Sequence, residues 1–338
     1  MSSQARKQVL PRPHSVKMVQ GEGTRDSGES VKGNLTKSRS SKSLTLEGKF
    51  DGKKAILFIN QGNKTAGAMG TAIIKKLASM GIMADTFSFP GKPGFLSKAG
   101  YDVAISLGGD GTVLYAARTM SPHGVPVFPV NLGTFGFLAG VQPHGWEDIF
   151  RLWLDQKAAL SRRLMLELSL ERDNKEILLG CCLNDVVISA SGIAKVINLR
   201  VSYSEPGESG FVKLGTYRSD GLIVSTPTGS TAYSVAAGGP IVDPELEALI
   251  LNPICPFTLS HRPMVLPAEE RVLVEVEEDQ RSGVLLTADG QITKKLKSGD
   301  RIFLKKAPYP CLLIASGRRN FYSALKTKLS WGGGGEQG

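Results

Sequence analysis

Two glycine-rich segments and one hydroxyl-rich segment hold the residues best suited to chemistry. Gly108-Gly109-Asp110-Gly111-Thr112 follows an apolar run, DVAISL at 102–107, and opens a stretch with helical spacing. Glycines let the backbone approach phosphate oxygens without Cβ clashes, and the free N–H groups of a helix start favour anions. A carboxylate aimed at bound phosphates is repelled unless it accepts a hydroxyl proton or helps to hold Mg2+, so Asp110 is a candidate base. A tight turn capped by Asp is the structural alternative. The second segment is NLGTFGFL at 131–138, where Phe137 can stack on a base or, the reading preferred from sequence, sit in the core.

Asn184-Asp185 stands at the start of an apolar run. An adjacent amide and carboxylate there can hydrogen-bond ribose hydroxyls or form an Asx turn. The longest constellation runs from Tyr217-Arg218-Ser219-Asp220-Gly221 to TPTGSTAYS at 226–234, followed by Gly238-Gly239-Pro240. Within it, Ser230 and Thr231 are expected to cap the next helix while presenting N–H groups to a ligand. His261, beside Arg262, reads as structural, and Asp289-Gly290-Gln291 as a hairpin turn between two strands.

The elements that position these residues change character along the chain. Ala55–Asn60 and 102–107 read as buried strands, 68–80 as a helix with Met69, Ile73, Leu77 and Met80 on one face, 113–120 as a helix and 125–130 as a strand. This is the βαβ pattern of a parallel sheet. Beyond about residue 160, Leu164, Leu166, Leu168 and Leu170 alternate as in a half-buried strand. Further strands are expected at 186–189, 196–203, 222–225, 272–276, 283–287 and 301–305. The fold class is therefore α/β: an N-terminal α/β domain with a parallel sheet at 55–160, rejoined by a helix at 315–331, plus a β-rich domain at 161–308. Residues 332–338 form a glycine-rich tail.

Composition narrows the partners. The 338 residues carry 41 Lys and Arg against 31 Asp and Glu, a net +10. Of these, 12 basic and 5 acidic residues lie in the first 54, so +7 belongs to a Ser/Gly-rich segment with too little apolar content to pack. The folded remainder is close to balanced, which argues for a nucleotide over nucleic acid as the anionic partner. No apolar run approaches the roughly 18–20 residues of a membrane span. Four cysteines without a CxxC pattern indicate neither a disulfide framework nor a built-in zinc site, and with no secretory h-region the expected location is the cytoplasm.

Taken in order, GGDGT, NLGTFGFL, Asn184-Asp185, RSDGLIVSTPTGSTAYSVAAGGPIV at 218–242 and LSHRP at 259–263 resemble the NAD kinase family, over about 55–331. The resemblance implies phosphoryl transfer from ATP to the 2′-hydroxyl of the adenosine ribose of NAD, with Asp110 taking the hydroxyl proton. It also implies that Gly108, Gly109, Gly111 and Thr112 surround the phosphates and that Asn184 and Asp185 bind the sugars. Phe137 is then near the adenine, and Arg218, Asp220, Thr231, Ala232, Tyr233 and Ser234 line the rest of a cleft between the domains. The family's usual pair is Asn-Glu, and Asp185 keeps the charge one methylene shorter, a gap a water can bridge. Mg2+ is expected to arrive with ATP, with no metal ligands of the protein's own. Polyphosphate is an alternative donor, and a homodimer or homotetramer the implied assembly. Two other readings fit parts of the pattern: a diacylglycerol-type lipid kinase sharing GGDGT, and a catalytically silent dinucleotide-binding regulator. Removing residues 1–54 is expected to leave turnover at the full-length rate; turnover abolished in a still-folded truncation would contradict the assignment of that segment as dispensable.

Overall fold

The computed structural model describes residues 52–89, 100–133, 136–192, 195–258 and 260–329. The basic segment up to residue 51 and the glycine-rich end at 332–338 lie outside the described residues, as do Thr134 and Phe135 of the second glycine motif and Leu259 of LSHRP.

The chain begins as alternating strands and helices: β1 (Lys54–Asn60), α1 (Ala66–Ser79), β2 (Met83–Phe89), β3 (Val103–Gly108), α2 (Asp110–Met120), β4 (Val127–Asn131), α3 (Trp146–Leu154) and β5 (Leu160–Arg163). Strands β1, β2, β3 and β4 pair in parallel. Both faces of this sheet are covered, which explains why its strands are almost uninterruptedly apolar. Ala55, Leu57 and Ile59 turn toward Ile73 and Leu77 of α1 and Phe150 of α3. The alternate residues Ile56 and Phe58 turn toward Val113, Ala116, Ala117 and Met120 of α2. The first strand starts one residue inside the 1–54 segment, and the Lys54 N–H donates to Asp102 Oδ2 at 2.8 Å, so a truncation that preserves β1 stops short of Lys54.

Ten antiparallel-sheet strands come next in sequence, β6 (Leu166–Arg172), β7 (Lys175–Cys182), β8 (Asp185–Ala190), β9 (Ile197–Ser204), β10 (Val212–Ser219), β11 (Gly221–Ser225), β12 (Ala248–Ile254), β13 (Met264–Pro267), β14 (Arg271–Val276) and β15 (Val284–Ala288), joined by β16 (Ile292–Leu296) and β17 (Arg301–Lys306). A short helix, α4 (Tyr233–Ala236), lies between β11 and β12. The chain then returns through β18 (Cys311–Ile314) to α5 (Arg318–Leu329).

The twelve strands β6–β17 form two six-stranded sheets, in the orders β10-β9-β14-β17-β6-β7 and β13-β12-β11-β8-β15-β16. Their inner faces meet in one apolar core: Leu166, Leu168 and Leu170 from the first sheet face a cluster that includes Val186, Ile188, Leu222 and Val224 from the second. The α/β sheet runs β2-β1-β3-β4-β18-β5. Strands β5 and β18 therefore complete the α/β sheet rather than the β sandwich, and β18 lies ahead of the helix through which the sequence reading rejoined the first domain. Met165, Cys181, Leu183 and Ala307 share the α2-side core. The α/β and β-rich parts accordingly pack as one compact unit.

Candidate active site

The GGDGT segment sits where the α/β logic demands, at the carboxyl end of β3 and the start of α2. Gly109 is the N-cap, in extended backbone with φ −93° and ψ −169°, and Asp110 is the first helical residue. At Gly108 a Cβ would lie 2.3 Å from Thr112 Oγ1, so the threonine side chain fills that space. Gly109 and Gly111 do face open space, with no atom within 4 Å of where a Cβ would stand, and leave room for a ligand.

The Asp110 carboxylate is held by the second glycine motif. Phe137 N–H donates to Oδ2 at 2.9 Å, and Leu138 and Ala139 N–H donate to Oδ1 at 3.2 and 3.0 Å. A carboxylate accepts about four hydrogen bonds. Oδ2, with one described donor, keeps room for a hydroxyl. Gly136 is dictated by this arrangement, because a Cβ on it would fall 2.0 Å from Asp110 Oδ1. The loop is tied back to the first motif by Leu132 N–H donating to Gly108 O at 3.1 Å. Phe137 is half-buried, with its ring 6.3 Å from that of Phe321 and the Lys328 ammonium 5.4 Å from its centroid. It is thus packed against α5, nearer the core alternative than a free stacking platform.

Asn184-Asp185 is gripped from two sides. On one side Asp289 Oδ2 accepts Leu183 N–H at 3.0 Å, and Oδ1 accepts Asn184 N–H at 2.8 Å and Asp185 N–H at 3.4 Å. On the other, Asn184 O accepts Thr226 N–H at 2.8 Å and the Ser225 hydroxyl at 3.1 Å. The pair enters β8 directly: Asp185 is its first residue, in register with Ser225 of β11. The Asp185 side chain is buried, 5% exposed. Burial first, and the neighbouring Asp289 charge second, push its carboxyl from the ordinary 3.8 to about 7. Burial also raises the Asp289 carboxyl, against the opposing pull of its three N–H donors and of Arg118.

The hydroxyl-rich segment is used differently from the expectation. The Thr226 hydroxyl donates to Leu183 O at 2.5 Å and accepts Gly229 N–H at 3.1 Å. Ser230 Oγ exchanges hydrogen bonds with the Val242 backbone at 3.1 and 3.2 Å. Thr231 donates to Thr228 O at 3.3 Å. Neither Ser230 nor Thr231 caps α4, whose N-cap is Ala232 with no side-chain hydrogen bond. The Thr226, Ser230 and Thr231 hydroxyls satisfy backbone groups of this irregular turn. Ser234 is fully buried, with Asn252 Nδ2 donating to its carbonyl at 2.9 Å and its Oγ at 3.3 Å. Facing outward from this segment are Tyr233, 47% exposed, and the partly exposed Thr231 and Ala232. Asp220 is partly exposed at the head of β11, and exposed Arg218 rests on Phe257, 4.9 Å from its ring centroid. His261 stacks on Tyr217 at 4.4 Å, in keeping with its structural reading.

Asp289 does more than form the hairpin turn expected from sequence. The turn is as expected: Asp289 and Gly290 have φ of 50° and 65°, and Gln291 N–H donates to Ala288 O at 2.9 Å. The signal that more was involved is the carboxylate itself, an acceptor-only group where Asn would also make the turn. Beside the α/β motifs, a crevice of about 620 Å³ opens at the carboxyl end of β4 and the start of α1, lined by residues including Thr65, Met69, Asn131, Leu132, Gly133 and Gln142. That is where open α/β sheets place ligands.

Two outcomes follow. Gly136→Ala is expected to displace Asp110, lowering stability by about 1–3 kcal/mol and activity by more than tenfold; full activity in the folded variant would contradict the packing described. Because the Asp185 carboxyl is raised from 3.8 to about 7, the stability it confers is greatest in its protonated form and is lost as pH rises through that window. Asp185→Asn should therefore gain on the wild type by up to a few kcal/mol between about pH 4 and 7, read by chemical denaturation across pH; a pH-independent difference would contradict the burial argument.

Comparisons with known proteins identify the family. The family model for the ATP-NAD kinase N-terminal domain matches residues 95–157, and that for the ATP-NAD kinase C-terminal domain matches 183–316. The NAD kinase of Treponema denticola is 46% identical over 233 residues, 69% of this chain and 80% of its own length. The NAD kinase of Nitratidesulfovibrio vulgaris is 40% identical over 278 residues, 81% of this chain and 96% of its own. Among solved structures, yeast NADH kinase in complex with NADH superimposes with a TM-score of 0.71 at 21% identity, covering 85% of this chain and 89% of that one. An Archaeoglobus fulgidus NAD kinase in complex with ATP gives 0.62 at 25% identity, covering 83% and 100%. With the ordered motifs, the cradled Asp110 and relatives matched over most of their length, the chain belongs to the NAD kinase family.

Proposed function

We infer that the protein is an ATP-dependent NAD kinase, transferring the γ-phosphoryl group to the 2′-hydroxyl of the adenosine ribose of NAD. The observation that carries the residue-level reading is the Asp110 carboxylate, fixed by three backbone N–H groups with Oδ2 still able to accept a hydroxyl proton. Phosphoryl transfer depends on positioning and charge neutralisation more than on covalent help from the protein. A ribose hydroxyl is a weak nucleophile at neutral pH, and a carboxylate within hydrogen-bond reach takes its proton as the O–P bond forms. On this reading Asn184 and Asp185 hold the sugars, and Asp220, Thr231, Ala232 and Tyr233 line the remainder of the NAD site. Gly109 and Gly111 leave space for the phosphates.

Among the described residues no grouping of three or more His, Cys, Asp or Glu side chains can hold a metal ion. Mg2+ delivered on the ATP phosphates neutralises charge on the transferring group. An assembly of two or four copies belongs to the same proposal, supported by half-exposed Val265 and Met264 on the edge strand β13. So does a cytoplasmic location, with which four free thiols are in keeping. No helix among the described residues is long and apolar enough to cross a membrane.

The test is NADP formation by the purified protein from NAD with MgATP, run beside polyphosphate and beside diacylglycerol as acceptor. NADP from ATP is expected, and Asp110→Asn should lower kcat by about 10²–10⁴-fold. Phosphorylation of diacylglycerol but not NAD, or near wild-type kcat in Asp110→Asn, would overturn the reading.

A further inference from the structure

Two side chains outside the family motifs, Gln291 and Arg118, connect the two halves of the site. Gln291, at the end of the β15–β16 turn, donates from Nε2 to the carbonyl of Gly111 at 2.8 Å, one residue after Asp110. Its Oε1 accepts Arg118 Nη2 at 2.9 Å. Arg118 lies on the inner face of α2 with its side chain 14% exposed, and its Nη1 is 4.0 Å from Asp289 Oδ2. Nη1 is buried without a hydrogen-bond partner, so the Asp289 charge is what it meets. Asp289 in turn carries the N–H groups of Leu183, Asn184 and Asp185. A continuous path therefore runs from the Gly111 carbonyl through Gln291 and Arg118 to Asp289 and the backbone of the Asn184-Asp185 pair. It crosses from the α/β part to the β sandwich, and its members are separated in sequence by up to 180 residues.

We propose that Arg118, Gln291 and Asp289 are positioning residues that set the distance between Asp110 and the sugar held at Asn184-Asp185. This rests on the reading of Asp110 as the base. The physical reason is that phosphoryl transfer tolerates little error in alignment: a misplacement of about 1 Å from a remote change can cost about 10²-fold in rate. The bonds from Leu183, Asn184 and Asp185 to Asp289 do not pass through Gln291. Loss of Gln291 should thus relax the register of the two halves while leaving the NAD seat formed.

The experiment uses the full-length protein and the variants Gln291→Leu, Arg118→Met and the double variant, with NAD and MgATP. Each single variant is expected to lose about 10–100-fold in kcat with KM for NAD within about threefold of wild type, and the double variant to lose no more than the worse single one, because both break one path. Gln291→Glu keeps the acceptor for Arg118 but loses the donor to Gly111, so it should resemble Gln291→Leu. Losses that multiply in the double variant, a kcat that does not change, or a rate loss that follows a fall in Tm would overturn the proposal. Backbone amide exchange supplies a readout independent of turnover. In Gln291→Leu it should accelerate across 110–112, and unchanged exchange there overturns the linkage. If the wild type forms no NADP while exchange still responds, the kinase reading fails and the positioning claim for that reaction fails with it, whereas the linkage itself stands.

Discussion

Three consecutive main-chain N–H groups converge on one carboxylate, and the rest of the site is arranged around that contact. Phe137, Leu138 and Ala139 give their N–H groups to Asp110. Buried or half-buried N–H groups need an acceptor, and a charged one makes the stronger bond. The same device recurs across the cleft, where Asp289 takes the N–H groups of Leu183, Asn184 and Asp185. Each carboxylate converts an irregular loop into a fixed surface. One carboxylate fixes the loop that follows β4, and the other fixes the Asn184-Asp185 pair at the start of β8.

The fold serves these two loops. The parallel sheet delivers GGDGT at the carboxyl end of β3 and the second glycine motif at the end of β4, in register through the Leu132–Gly108 hydrogen bond. The sandwich delivers Asn184-Asp185 at the start of β8 and Asp289 at the end of β15, strands that are direct neighbours. Met165, Cys181, Leu183 and Ala307 share one buried core with α2, which joins the two parts. α5 closes the arrangement from a third side: Phe321 packs toward Phe137, Tyr322 donates to Asp243 Oδ2 at 3.0 Å, and Arg318 pairs with the same carboxylate at 3.0 Å.

What the sequence disclosed follows from burial. Strands covered on both faces, such as β1 and β3, stand out as apolar runs, and β6 shows its alternation through Leu166, Leu168 and Leu170. Most strands passed over are sheet edges: β2, β5, β7, β10 and β13. An edge buries little, and Ile177 and Leu178 of β7 are 51% and 65% exposed, so no clean period marks it. β12 and β18 were hidden for other reasons, the first carrying Pro253 and the second being four residues long. At the site, the residues in family motifs were legible, but their division of labour was not. Ser225, Thr226 and Ser230 look like ligand hydroxyls in one dimension and turn out to satisfy backbone groups in three. Asp289 looks like half of a hairpin turn, and its second task depends on a partner segment more than a hundred residues away.

Whether Asp110 meets the reacting hydroxyl is read from a crystal structure with NAD and a non-hydrolysable ATP analogue. The adenosine 2′-hydroxyl oxygen is expected about 2.6–3.2 Å from Asp110 Oδ2, with the Phe137, Leu138 and Ala139 N–H groups still on that carboxylate. A 2′-hydroxyl turned away from Asp110, toward another base or toward solvent, would contradict it.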